Sequence, residues 1–172
     1  MAILPILVAP HPVLKQTARP VAAVDKRVAT LMRDMLETMY DANGIGLAAP
    51  QVGVSERIIV VDVHEKDEPN QPFLMANPEV VWESQDLHAY EEGCLSVPEH
   101  YAEVVRPASV TVRYLDEHGA AKEIKAEGTL AVCLQHEIDH LNGVLFVDHL
   151  SSLKRSMILR KLQKQQRQKA PA

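Results

Sequence analysis

His136-Glu137-Ile138-Asp139-His140 carries the densest chemistry in the sequence. On a helix, residues four apart share a face, so His136 and His140 can grip one metal ion. Glu137 then sits beside them as a general base. The competing reading is a helix that carries two surface histidines.

A catalytic metal site of this kind takes three protein ligands and keeps one position open. Known H-E-x-x-H patterns place the third ligand downstream. In the pattern with a third histidine it would fall at position 146, which is Phe146, and no glutamate follows Glu137. Asp148 and His149 lie just past the helix end expected at Asn142-Gly143. Cys133, three residues before His136, shares its helix face, but it also fits as an ordinary apolar cysteine. Cys94 stands between Gly93 and Leu95 in an acidic, turn-like stretch, a poor place for a core side chain. Cys94 is therefore preferred as the third ligand and Cys133 as a wall residue.

The chain that must position these groups has 172 residues, enough for one domain with a sizeable core. Aromatics are 4% of it, so the core must be largely aliphatic. No apolar run approaches the ~20 residues of a membrane span. Met1-Ala2-Ile3-Leu4-Pro5 lacks the basic stretch of a signal peptide. The expected setting is the cytoplasm, where Cys94 and Cys133 stay reduced and a metal or catalytic role gains weight. From Leu150 onward there are seven basic and no acidic residues, while the whole chain carries −5. An acidic body with a basic tail points to an anionic partner or to a solvated helix end.

The proline-rich first twenty residues read as extended. Asp25 reads as the N-cap of a helix with its apolar stripe at Val28, Leu31, Met32, Met35, Leu36 and Met39, ended by Asn43-Gly44. Gly44 to Gly53 is a small, glycine-rich loop in which Gln51 alone has a hydrogen-bonding side chain. It lacks the residues of a phosphate loop. Arg57–Val63 reads as a buried strand, and Phe73–Trp82 as another, interrupted near Asn77-Pro78. Ser109–Leu115 and Ala121–Ala126 form a hairpin. The motif helix spans Thr129–Asn142. A last helix from about Ser151 has an apolar face at Leu153, Met157, Ile158 and Leu162, and its polar end is expected to project from the body. Strands cluster between helices without regular alternation. The expected class is α+β, with antiparallel sheets packed around a central H-E-x-x-H helix and a C-terminal helix. Residues 1–150 are expected to form a single catalytic domain, with the helix and tail of 151–172 part of it.

Gly44-Ile45-Gly46-Leu47-Ala48-Ala49-Pro50-Gln51, Glu92-Gly93-Cys94-Leu95-Ser96-Val97-Pro98 and Gln135-His136-Glu137-Ile138-Asp139-His140 together resemble the three motifs of the peptide deformylases, in the family's order. The likeness extends over nearly the whole chain and looks most like the class common in Gram-negative bacteria and organelles. It implies removal of the formyl group from N-terminal formylmethionine of nascent peptides, with release of formate. It implies Cys94, His136 and His140 as ligands of Fe(II), with Zn, Ni or Co as substitutes, and water at the fourth position. By the same resemblance, that water is expected to attack the formyl carbonyl with Glu137 as proton shuttle. The Gln51 amide and the Leu95 N–H are implied as oxyanion donors. Gly44 and Gly46 give the substrate close approach to the backbone. The resemblance also implies Ile45, Tyr90, Glu92, Val132, Cys133 and the edge of His136 as walls of a methionine pocket. Two departures stand out. Thr129 replaces an apolar residue of some relatives, and Tyr101 stands where some carry an arginine facing the peptide, while Arg106 matches a basic position. The implied partners are nascent peptides and, through the basic helix, the ribosome, with the protein a monomer free of the membrane.

Overall fold

Ile58-Ile59-Val60-Val61-Asp62 is buried at every position, so both of its faces must be covered. In the computed structural model, which describes residues 2–169, this strand is β2. It lies between β1 (Gly46–Ala48) and β3 (Pro72–Glu83). β6 (Ser109–Leu115) and β7 (Ala121–Glu127) follow across the same sheet, in the order β1-β2-β3-β6-β7. Every pairing in it is antiparallel.

The two-residue alternation of β2 divides the core. Ile58 and Val60 join Met32, Met35 and Met39 of α1 (Lys26–Asp41). Ile59 and Val61 join Met75, Val110, Val112 and the residues Leu134 and Ile138 of α2 (Gly128–Leu141). One helix therefore covers each face. The α+β expectation, with antiparallel strands around the motif helix, holds. From Ala131 to Ile138 every residue of α2 is buried, so this helix has no solvent face over two turns.

Local signals set the ends of the helices. Asp25 accepts a hydrogen bond from Val28 N at 2.9 Å and caps α1. At its other end Asn43 takes the left-handed turn, at φ 58°. Leu141, at the end of α2, has its carbonyl satisfied by Ala18 N at 2.7 Å and by the Arg57 guanidinium at 3.0 Å. The expected break in β3 is a bulge rather than an end. Asn77, at φ 50°, turns its side chain to Val21 N and O, and the strand continues to Glu83.

β4 (Leu87–Cys94) and β5 (Val97–Pro107) form a separate two-stranded sheet. The sequence reading saw only its turn-like tip. The extended N-terminal segment ties the pieces together by backbone bonds, Leu7 N to Gln51 O at 2.7 Å and Ala9 N to Ser96 O at 2.8 Å.

The last helix, α3 (Ser152–Lys169), departs from expectation in two ways. Its packed face is Ile158, Leu159 and Leu162, which meet Leu14, Val97, Val104 and Phe146. Leu153 and Met157 are exposed instead. The polar end does not simply project, because Gln166 donates to the Val8 and Ala9 carbonyls at 3.2 and 3.3 Å. Tail residues 170–172 and the side chain of Lys169 lie outside the described residues. Among those described, no helix is long and apolar enough to cross a membrane.

Gly143 closes α2 at φ 75°, and a Cβ there would sit 2.4 Å from the Lys15 carbonyl oxygen. Backbone cannot move aside as a side-chain tip can. Gly143→Ala should cost about 2–3 kcal/mol, from the left-handed conformation and this clash. In thermal unfolding that corresponds to a midpoint lower by roughly 5–10 °C.

Candidate metal centre

Helix α2 presents His136 and His140 toward the tip of the β4–β5 hairpin. Their Nε2 atoms are 3.1 Å apart, and Cys94 Sγ lies 3.3 Å from His140 Nε2. The three donor atoms fall within 4.8 Å of one another. Of the ligand candidates weighed in the sequence, this group draws together Cys94, His136 and His140. Cys133 points elsewhere, donating its weak S–H to the Ile45 carbonyl at 3.5 Å. Asp148 is held by Lys15 and by Leu145 N, and His149 by Asp139. Phe146 stacks its ring on His136 with centroids 6.2 Å apart.

The donor set fits a metal ion. His136 Nδ1 is 3.0 Å from Glu92 Oε1. A carboxylate there accepts a hydrogen bond from Nδ1–H, which keeps the proton on Nδ1 and leaves Nε2 to face the cluster as a lone pair. Two imidazoles and a cysteine sulfur converging in a buried space suit zinc, iron, cobalt or nickel. Burial pushes the His140 ring toward its neutral form. Burial acts the same way on His136, but Glu137, Cys94 and Glu92 together outweigh it and the net direction is up.

Glu92 is itself answered by Arg106, whose Nε and Nη2 donate at 2.6 and 2.9 Å. Arg106 Nη1 reaches Asp139 at 2.8 Å, and Asp139 also meets His149 at 2.9 Å. All of Glu92, Arg106 and His136 are buried. The carboxylate of Glu92 is thus occupied in orienting His136. It lines a pocket, as expected, but the pocket is not wholly apolar.

Gln51 is fixed from both ends of its amide. Oε1 accepts from Ala48 N at 2.9 Å, which sets the flip. Nε2 donates to Ser96 Oγ at 3.1 Å and, more weakly, to Cys94 Sγ at 3.4 Å. Glu137 lies beside the histidines with Oε1 buried and, among the described residues, without a hydrogen-bond partner. Burial pushes its carboxyl up to about 7. The glycine of β1 has a steric reason, since a Cβ at Gly46 would lie 2.5 Å from Glu137 Oε2.

Two cavities meet at this cluster. A groove of about 410 Å³ is lined by Gly44, Ile45, Gly46, Gln51, Cys94, Leu95, His136 and Glu137, and extends along Pro98, Glu99, His100 and Tyr101. A smaller cavity of about 130 Å³ is lined by Ile45, Tyr90, Glu92, Thr129, Val132, Cys133 and His136. Every site residue implied by the resemblance lines one cavity or belongs to the metal cluster, while Arg106, Asp148 and His149 lie outside both. The sequence reading gave no role to Ser96 or Asp139, although both lie inside the motifs. It also gave none to Glu99 and His100, which follow one of them.

Comparison with known proteins finds relatives over nearly the whole chain. Residues 3–156 match the family described as polypeptide deformylase. A peptide deformylase of Phenylobacterium zucineum (strain HLK1) is 58% identical over 164 residues, 95% of this chain and 97% of that one. The crystal structure of a peptide deformylase from Legionella pneumophila is 51% identical with a TM-score of 0.88, covering 99% of this chain and 100% of that one. That of a peptide deformylase from Ehrlichia chaffeensis in complex with actinonin is 44% identical, with a TM-score of 0.93 and coverage of 97% and 99%.

Removing the partner that orients a liganding histidine weakens metal binding about 10–100-fold. Glu92→Ala should show a loss of that order in Zn(II) affinity, measured by competition with a chromophoric chelator. Affinity equal to that of the unmodified chain would remove Glu92 from this role.

Proposed function

The chain belongs to the polypeptide deformylase family of hydrolases, and on that premise we propose that it removes the formyl group from N-terminal formylmethionine of newly made proteins, releasing formate. The observation that carries this reading is the meeting of three separate stretches at one cavity, with the Gln51 amide set against Cys94 and Glu137 beside both histidines. Cys94, His136 and His140 would hold the ion, Fe(II) natively, with Zn, Ni or Co able to replace it. When bound, the ion supplies Lewis acidity and makes water at the site a better nucleophile near neutral pH.

The other steps belong to the chain. Glu137, with its affinity for a proton raised by burial, takes one from the attacking water. The water oxygen bonds to the formyl carbon, and the carbonyl oxygen becomes an oxyanion. Donors aimed at that oxygen lower the barrier. The Gln51 amide and the Leu95 backbone N–H take this role. Gln51 has a hydrogen to offer, because its contact to Cys94 sulfur is long and weak. Glu137 then passes its proton to the amine nitrogen as the C–N bond breaks, since an unprotonated amine leaves poorly. Formate and a free methionine amine result.

The smaller cavity takes the methionine side chain, between Ile45, Tyr90, Val132 and Cys133, with Glu92 and Thr129 as polar edges. Gly44 and Gly46 let the substrate backbone lie close to the loop. One chain supplies every group named, so a monomer in the cytoplasm suffices. Residues 1–150 then form the catalytic domain, and packing of Leu162 supports counting the C-terminal helix as part of it.

Formate release from a formyl-Met peptide by Fe(II)-loaded protein, measured anaerobically, tests the reading. Cleavage of internal peptide bonds without formate would replace it with general proteolysis. Glu137→Gln should keep its metal and lose turnover about 10²–10⁴-fold. Full turnover in that variant would discard the proton shuttle.

The basic helix α3 is proposed to meet ribosomal RNA phosphate weakly and electrostatically. Because Gln166 also anchors the helix to the N-terminal segment, charge should be removed without truncation. Replacing Lys161, Lys164 and Arg167 by Gln should weaken salt-sensitive ribosome binding and leave formate release from a short peptide unchanged. Unaltered binding would refute this partner.

A further inference from the structure

Asp62 ends β2 with a buried carboxylate, after four apolar residues, Ile58, Ile59, Val60 and Val61. Three groups hold it. The Tyr40 hydroxyl donates to Oδ2. Gln71 N donates to Oδ1 at 3.0 Å, and His64 Nδ1 lies 2.8 Å from the same oxygen. Burial pulls the carboxyl up, but the hydrogen bonds from Tyr40, His64 and Gln71 N outweigh it and hold the group below its ordinary range. The sheet by itself does not call for an anion here, since an apolar residue would fill the place without the desolvation cost. What the carboxylate adds is a grip on one short loop. Tyr40 stands in the last turn of α1, and its carbonyl accepts from Asn43 N at 3.0 Å, while the Met39 carbonyl accepts from Gly44 N at 2.9 Å. At the other end of the loop, Asp62 N donates to the Ile45 carbonyl at 2.9 Å. Loop 43–45 therefore hangs between Tyr40 and Asp62, and the hydroxyl–carboxylate contact fixes these two supports to each other.

We propose that Tyr40 and Asp62 are positioning residues for substrate binding, whose contact sets loop 43–45 and so holds Ile45 as a wall against the methionine side chain. This rests on the deformylase reading above. Ile45 lines both cavities, yet its side chain is half exposed, so its place is set by its backbone more than by packing around it. Neither Tyr40 nor Asp62 lines a cavity or belongs to the metal cluster. The reacting groups have other supports. Glu137 and both histidines ride on α2, Cys94 on the β4–β5 hairpin, and Gln51 is held by Ala48 N and Ser96 Oγ. Releasing the clamp therefore weakens the hold on the methionine side chain equally before and during reaction, which raises KM and spares kcat. A substrate whose first side chain is too short to reach the wall is indifferent to it.

The test measures formate release from formyl-Met-Ala-Ser and formyl-Ala-Ala-Ser by metal-loaded full-length protein. Tyr40→Phe removes a single oxygen and should raise KM for the methionine peptide about five- to tenfold, the scale on which an apolar pocket discriminates. Its kcat should stay within about twofold, and kcat/KM for the alanine peptide should be unchanged, so that the preference for methionine falls. Asp62→Ala should act in the same direction, and the double variant should lose no more than Asp62→Ala alone, because the two residues work through one contact. Zn(II) affinity, measured by chelator competition, should match that of the unmodified chain. Where Asp62→Ala does not fold, Tyr40→Phe alone decides. An unchanged KM in folded Tyr40→Phe would overturn the inference. So would equal losses on both peptides, or a loss of metal affinity, since these mark a general structural role. Absence of formate from both peptides with the unmodified protein would instead overturn the deformylase reading.

Discussion

Arg106 is shut away from water, and its charge has to be answered by carboxylates within reach, one buried and one half-buried. Glu92 accepts two of its N–H groups and Asp139 a third. These three residues come from β5, β4 and α2. A cation left unpaired in such a place costs several kcal/mol. The hairpin therefore cannot slide along the helix without exposing or stranding a charge. Apolar packing alone would tolerate such a shift, because methyl groups find new neighbours easily. Glu92 then passes the constraint inward, since its Oε1 also meets His136 Nδ1. One buried cation thus sets the hairpin, and the hairpin brings Cys94 to the histidines of the helix.

The remaining half of the site is positioned by backbone. Gln51 and Ser96 lie far apart in sequence, yet the N-terminal segment bonds to the carbonyl of each, through Leu7 N and Ala9 N. Ala18 N does the same for Leu141 at the end of α2. A proline-rich strip that looks dispensable in sequence is a strap across all three motif stretches. Apart from a short 3-10 turn at Pro12–Lys15 it is extended, and an extended chain leaves its N–H groups free to point outward to other elements. Gly46 shows the opposite use of backbone. There the absence of a side chain lets β1 approach Glu137 closely, so the loop and the acid are brought together by what is missing.

Much of this was legible because it follows local rules. The cap at Asp25, the β-branched run of β2, the 109–126 hairpin and the limits of α2 each depend on residues within a few positions. What escaped depends on distant partners. The β4–β5 strands carry Glu91, Glu92, Glu99 and Glu103, and acidic residues argue against a strand unless something buries or solvates them. Arg106 does so for Glu92, from a position fourteen residues away. On α3, spacing alone selected Leu153 and Met157, but helical period cannot say which of two overlapping stripes meets a surface. The Leu14, Val97 and Phe146 cluster picks the stripe with Leu162. At the site, residue types and motif order were readable. Ser96 and Asp139 act only through side chains that other elements bring to them.

Phe146 explains why the site is divided as it is. A histidine there would add a third ligand just beyond the helix that carries the first two, and the centre would depend on one stretch of chain. Phenylalanine instead stacks on His136 and closes the cluster off from α3. The third donor then has to come from the opposite side, and it comes as the sulfur of Cys94 at the tip of a two-stranded hairpin. Such a hairpin is marginal by itself. Its tip is held here by Ala9 N on Ser96 O and by Gln51 on Ser96 Oγ. Drawing the third donor from the hairpin also brings Leu95 and its N–H beside the reacting carbon in the proposed function. The proposed ligand and the proposed oxyanion donor are adjacent residues of one turn, so whatever places one places the other. This coupling follows from taking the sulfur upstream, and a downstream histidine could not reproduce it.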